Sequence, residues 1–147
     1  MIAPTLGGRE LSVGQRGPVL ERTWQLHDLV AYGGATWDWH RLHYDAAYAT
    51  ERGLPGPVVD GQAFGAILAE AIMDWLGPRA FIRKLGFRMS GMVFAGQTFR
   101  CESEVAAIRH EGERSVVTIS LQIVAGERLA IGPASAEVVL PAGGDQR

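Results

Sequence analysis

From Gly61 to Trp75 the chain places Phe64, Ile67, Leu68, Ala71, Ile72 and Trp75 around most of a helical circumference, interrupted only by Glu70 and Asp74, one turn apart. A helix that is apolar nearly all round has to be enclosed by the rest of its own domain. Gly77-Pro78 stops it. After Pro78 the period changes to that of strands. Phe81, Leu85, Phe87 and Met89 form one run, Phe99, Cys101, Ser103, Val105 and Ala107 a second, and Val117, Ile119, Leu121 and Ile123 a third. A last strand fits Leu129 to Leu140, with Gly132-Pro133 marking a bulge or edge position. Gly96, His110 to Glu113, and Gly126-Glu127 supply the turns. Ahead of the helix, Leu11 to Arg22 carries Gly14, Gly17 and Pro18 and reads as an irregular or edge segment, and a short helix over Leu26 to Tyr32 is expected to end at Gly33-Gly34. The expectation is an α+β fold in which a curved sheet of four antiparallel strands wraps one central helix. No phosphate-cradling glycine loop is present.

At 147 residues the chain suits a single domain, placed at 1–142, with the tail 143–147 expected to fray. A net charge of −2 leaves no basic footprint for nucleic acid or an anionic membrane surface. The longest uncharged run, Ser115 to Gly126, falls short of the roughly 18 apolar residues of a membrane helix. No secretory signal is visible at the N-terminus, and the lone Cys101 excludes an internal disulfide and a multi-cysteine metal site. A soluble cytoplasmic protein is expected.

Chemistry concentrates between Thr36 and Asp45, where two Trp, two His, two Asp, an Arg and a Tyr fall within one short segment. Such a mixture is costly to bury and is seldom needed merely to connect two elements. Asp38 and His43 have the spacing that lets a carboxylate and an imidazole converge on one water, a unit for general acid–base chemistry. Gly61, where the buried helix begins, would present a free N–H to a ligand carbonyl as an oxyanion site. Simpler roles exist: Asp38 as a helix cap, Asp45 as an N-cap before Ala46 to Thr50, and Arg41 as a surface ion-pair residue. His40 and His43 with Asp38 or Asp45 offer a zinc site as the lesser reading, since it needs a further ligand and His27 and His110 lie in other segments. Cys101 should be an inert buried thiol. Arg79, Arg83, Lys84 and Arg88 are either a solvated strand face or a landing site for the phosphates of a ligand.

Ala35, Asp38, Leu42, His43, Asp45 and Gly61, followed by Phe87-Arg88 and Val93 to Thr98, resemble the MaoC-like (R)-specific enoyl-CoA hydratases and dehydratases of the hot-dog fold. The resemblance runs from about Leu26 to Leu140. It implies hydration of a trans-2-enoyl thioester, carried by CoA or an acyl carrier, or dehydration of the 3-hydroxyacyl product. Asp38 and His43 would activate the water, the Gly61 N–H would hold the enolate-like oxygen, and no metal or redox cofactor is called for. It also implies a homodimer or higher assembly, or pairing with a second hot-dog subunit. Departures from the family pattern are Thr36-Trp37 for Ser-Gly, His40-Arg41 for Asn-Pro, and Asp60 for the His before the helical glycine. Trp37, His40, Arg41 and Asp60 are therefore the candidate substrate-binding residues. The Trp-Asp-x-x-Arg-Leu-His-Tyr-Asp string is similar to a subgroup acting on branched or dicarboxylic enoyl-CoAs, in which Arg41 would meet a substrate carboxylate. Asp74 to Pro78 with Ile82 to Arg88 is similar to subunits acting on steroid side-chain CoA esters. Two alternatives stand beside the hydratase: a hot-dog acyl-CoA thioesterase using Asp60, and a non-catalytic partner subunit of a heteromeric hydratase.

Overall fold

The computed structural model describes residues 6–143, so the tail expected to fray lies, from 144 onward, outside the described residues. The elements run β1 (Leu20–Thr23), α1 (Leu26–Thr36), α2 (Ala46–Glu51), α3 (Ala63–Leu76), β2 (Phe81–Met89), β3 (Thr98–Glu111), β4 (Arg114–Ala125) and β5 (Arg128–Pro141). All pairings are antiparallel, in the order β1-β3-β4-β5-β2. Alternation turns Phe99, Cys101, Val105, Ile119, Leu121, Ile123, Ala136 and Val138 inward, where they meet Phe64, Leu68, Ile72 and Leu76 of α3. Phe64 stands edge-on to Phe99 with ring centroids 5.5 Å apart. Each large side chain enclosed this way contributes roughly 1.5–3 kcal/mol, which is why the apolar helix and the long strands require each other. Of the two charges on α3, Glu70 is ion-paired with Arg22 of β1 and Asp74 faces solvent. Among the described residues no helix is long and apolar enough to cross a membrane.

The structure corrects several boundaries. The four expected strands are present, but the sheet has a fifth, because Leu20–Thr23 pairs along Cys101 to Thr98 of β3. The irregular stretch before it lies along the same strand, with the Gly17 N–H bonded to the Ser103 carbonyl at 3.0 Å. Helix α1 continues through Gly33-Gly34 to Thr36 and turns at Trp37, a left-handed residue with φ 61° and ψ 27°. Gly33 serves close packing, since a β-carbon there would lie 2.8 Å from the Asp38 carbonyl oxygen, whereas one at Gly34 would make an ordinary contact at 3.6 Å from the Trp39 ring. Gly132-Pro133, joined by a cis peptide, is skipped in the pairing with β4, so it is a bulge as expected. It is not an edge position, since β5 lies between β4 and β2. The turn after β3 tightens onto Gly112, whose φ of 63° suits glycine.

Candidate active site

Two chain segments, 37–45 leaving α1 and 57–62 entering α3, are laced together beside the head of α3. The Val58 N–H donates to the Leu42 carbonyl at 2.9 Å, and the Val59 N–H to the Val93 carbonyl at 2.8 Å. This lacing fixes His43, whose Nδ1 lies 2.8 Å from the Val58 carbonyl oxygen. A carbonyl can only accept, so Nδ1 donates to it and Nε2 is the ring nitrogen left free of that bond. Asp38 Oδ1 accepts the His40 N–H at 3.1 Å, and Asp60 Oδ1 accepts the Gln62 N–H at 2.9 Å. Each carboxylate is thus held by one oxygen and presents the other. The outcome is a trio: one nitrogen of His43 and one oxygen each of Asp38 and Asp60 lie within 4.8 Å of one another. All three side chains are half-buried. Their spacing is also that of a three-ligand metal site, the one such group among the described residues.

Gly61 follows directly, and Gln62 separates it from α3, so the helix opens two residues later than its sequence suggests. Its N–H donates to no group among the described residues. A β-carbon at 61 would meet the Met89 thioether, and the long side chain of Met89 would have to move aside. A cavity of about 360 Å³ passes His43, Val59, Gly61 and Phe64 and reaches Met89 and Met92. On the other side of the trio a tight crevice is closed by Trp24, Leu29, Tyr32 and Gly33. Burial pushes the Tyr32 hydroxyl above its ordinary pKa, and the charges of Asp60 and Asp38 push it further.

Other residues singled out in the sequence lie away from the trio. Trp37 is 80 % exposed and meets Trp39 edge-on at 6.1 Å. The His40 ring caps a short 3-10 turn, its Nδ1 accepting the Leu42 N–H at 3.2 Å, and it sits 6.0 Å from the His43 ring. Arg41 bonds Asp45 Oδ2 at 2.7 Å and stacks over Tyr48 with its guanidinium carbon 4.4 Å from the ring centre. Asp45 also caps α2, accepting the Tyr48 N–H at 3.0 Å. Arg83, in the basic cluster, is ion-paired with Glu137. Tyr32, Met89 and the Val58 carbonyl escaped sequence reading. Nothing local in the sequence marked Tyr32, whose place beside Asp38 comes from the fold.

A curved antiparallel sheet closed around one helix, with acid–base side chains gathered where that helix begins, defines the hot-dog α+β class. The family model described as "MaoC like domain" matches residues 13–126, and the chain belongs to that family. It is 26% identical over 121 residues to an (R)-specific enoyl-CoA hydratase of Aeromonas caviae, an alignment covering 80% of this chain and 87% of that protein. Its fold is similar to the unliganded R-hydratase PhaJ1 of Pseudomonas aeruginosa, with TM-score 0.88 and 22% identity over 99% of this chain and 92% of the other. It is also similar to a chain of the ChsH1-ChsH2 complex of Mycobacterium tuberculosis, with TM-score 0.77 and 22% identity over 88% and 98% of the two chains.

Proposed function

We propose that the protein hydrates a trans-2-enoyl thioester of CoA or an acyl carrier, and in reverse dehydrates the 3-hydroxyacyl thioester. The observation that carries this reading is the convergence of Asp38, His43 and Asp60 beside the Gly61 N–H. A water held by Asp38 and His43 gives a proton to the open Nε2 of His43 as its oxygen bonds to Cβ. The π electrons move toward the thioester carbonyl, whose oxygen gains negative charge facing the Gly61 N–H at the head of α3. The proton taken up by His43 then passes to Cα, the carbonyl re-forms and the Asp38–His43 pair returns to its starting state. Water is added across the double bond with no change of oxidation state overall, so the step needs no redox cofactor. The thioester enters from the cavity flanked by Met89 and Met92.

Two copies pair in this reading. Strand β2 is an open edge, with Phe81 65% and Met89 62% exposed, and such an edge is covered by pairing or assembly. The protein acts in the cytoplasm, where such thioesters are made and consumed.

Loss of enoyl-thioester absorbance, measured with short, branched and bulky 2-enoyl-CoAs, tests the assignment. Wild-type turnover, reduced about a hundredfold or more in Asp38→Asn and in His43→Ala, is the expected result. Turnover indifferent to both substitutions would overturn it. Release of free CoA without loss of the double bond would assign the thioesterase chemistry in its place.

A further inference from the structure

We infer that Asp60 is a specificity-determining residue that turns away acyl groups carrying a carboxylate next to Cβ, so that the substrate is an uncharged acyl thioester. The inference rests on the thioester reading above and adds the charge class of the acyl chain.

Hydration requires Cβ to lie against the water held by the trio. In a four-carbon diacid thioester the distal carboxylate is bonded directly to Cβ, so it arrives wherever Cβ arrives. It would meet the carboxylates of both Asp38 and Asp60, each of which has an oxygen within 4.8 Å of the other and of a His43 nitrogen. Neither aspartate belongs to an ion pair among the described residues. No lysine or arginine lines either the crevice or the cavity beside the trio. Arg41 is committed to Asp45 and to the face of Tyr48, and Arg52 lies over the same Tyr48 ring. The same field already acts on a neighbouring group, for Asp60 and Asp38 together disfavour a negative charge on the Tyr32 oxygen. A third anion placed among two carboxylates that no lysine or arginine pairs is opposed by like-charge repulsion. A methyl group at that position meets no such penalty.

Isothermal titration with butanoyl-CoA and succinyl-CoA tests this, because the two ligands share the coenzyme and chain length and differ by the distal carboxylate. Wild type should bind butanoyl-CoA tighter by about tenfold or more, the effect of one like-charge juxtaposition. Asp60→Asn keeps an oxygen for the Gln62 N–H and should narrow that gap; Asp60→Ser, also able to accept that N–H, is the second variant should the first fold poorly. Equal affinities in wild type, tighter binding of succinyl-CoA, or a gap unchanged in the Asp60 variants would overturn the inference while leaving the thioester reading intact. Failure of wild type to bind either ester would defeat that reading and the inference together.

Discussion

The α-carbon of Gly33 faces the main-chain carbonyl of Asp38 so closely that a β-carbon would stand 2.8 Å from its oxygen. The opposing atom is backbone, so a side chain at 33 is accommodated only by shifting the segment that carries Asp38. Gly33→Ala is expected to cost about 1–3 kcal/mol of stability, as overpacking does, despite the higher helix propensity of alanine. A displacement of about 1 Å at Asp38 should lower hydration by about a hundredfold. Chemical denaturation and the enoyl-CoA assay read the two effects separately.

Trp37 holds a left-handed conformation with φ 61° while 80 % of its surface is exposed. That backbone strain is roughly 1–2 kcal/mol for a residue with a β-carbon, and little packing offsets it here. Trp37→Gly should therefore raise stability by about 1 kcal/mol, after the entropy cost of glycine, whereas Trp37→Ala should give no such gain. If hydration falls in both variants while stability rises in only one, Trp37 touches substrate as well.

The Asp45 carboxyl sits below the usual carboxylate range, first because it accepts the Tyr48 N–H and then because Arg41 pairs with it. A depressed folded-state pKa stabilises the protein above the unfolded value of about 3.9 and loses that contribution as pH falls through the folded value. Asp45→Ala should thus lower Tm at neutral pH, with the difference from wild type vanishing in acid. A Tm difference that persisted unchanged at the lowest pH would contradict an electrostatic origin.

Cys101 is fully buried, and burial pushes its thiol up to about 12. At pH 8 such a group is about one part in ten thousand thiolate. An aromatic disulfide reagent should leave the native protein unlabelled and titrate one thiol per chain in denaturant. Rapid native labelling would show that β3 opens readily from the sheet.

The core was legible in sequence because its signals are periodic and redundant: an apolar circumference over Gly61 to Trp75, then alternation through Phe99 to Val105 and Val117 to Ile123. Strand β1 was legible only as an edge segment, which it is, since Leu20–Thr23 is too short to display a period and is defined by its partner on β3. Gly33-Gly34 misled because glycine ends helices by default, and here the closeness of Gly33 to the Asp38 carbonyl calls for a glycine inside the helix. Asp38, His43 and Gly61 stood out by composition and spacing. Asp60 showed only as a departure from a pattern, and what surrounds it, including the absence of a paired cation among the described residues, is a property of three dimensions. Tyr32 looked like an ordinary helical aromatic, and no local pattern distinguishes such a residue from one that borders reactive groups.

Tyr32, Asp38, His43, Asp60 and Gly61 all precede the first long strand, whereas the sheet is closed by β2 to β5, which come after α3. Apart from the short β1, the chain is thereby divided into a stretch that carries most of the site and a stretch that builds the four long strands, meeting at one helix. Substitutions at the site residues of the first can retune acidity, charge preference or pocket shape without touching the pairing of β2 to β5. A scaffold wired this way can change its substrate while keeping its fold.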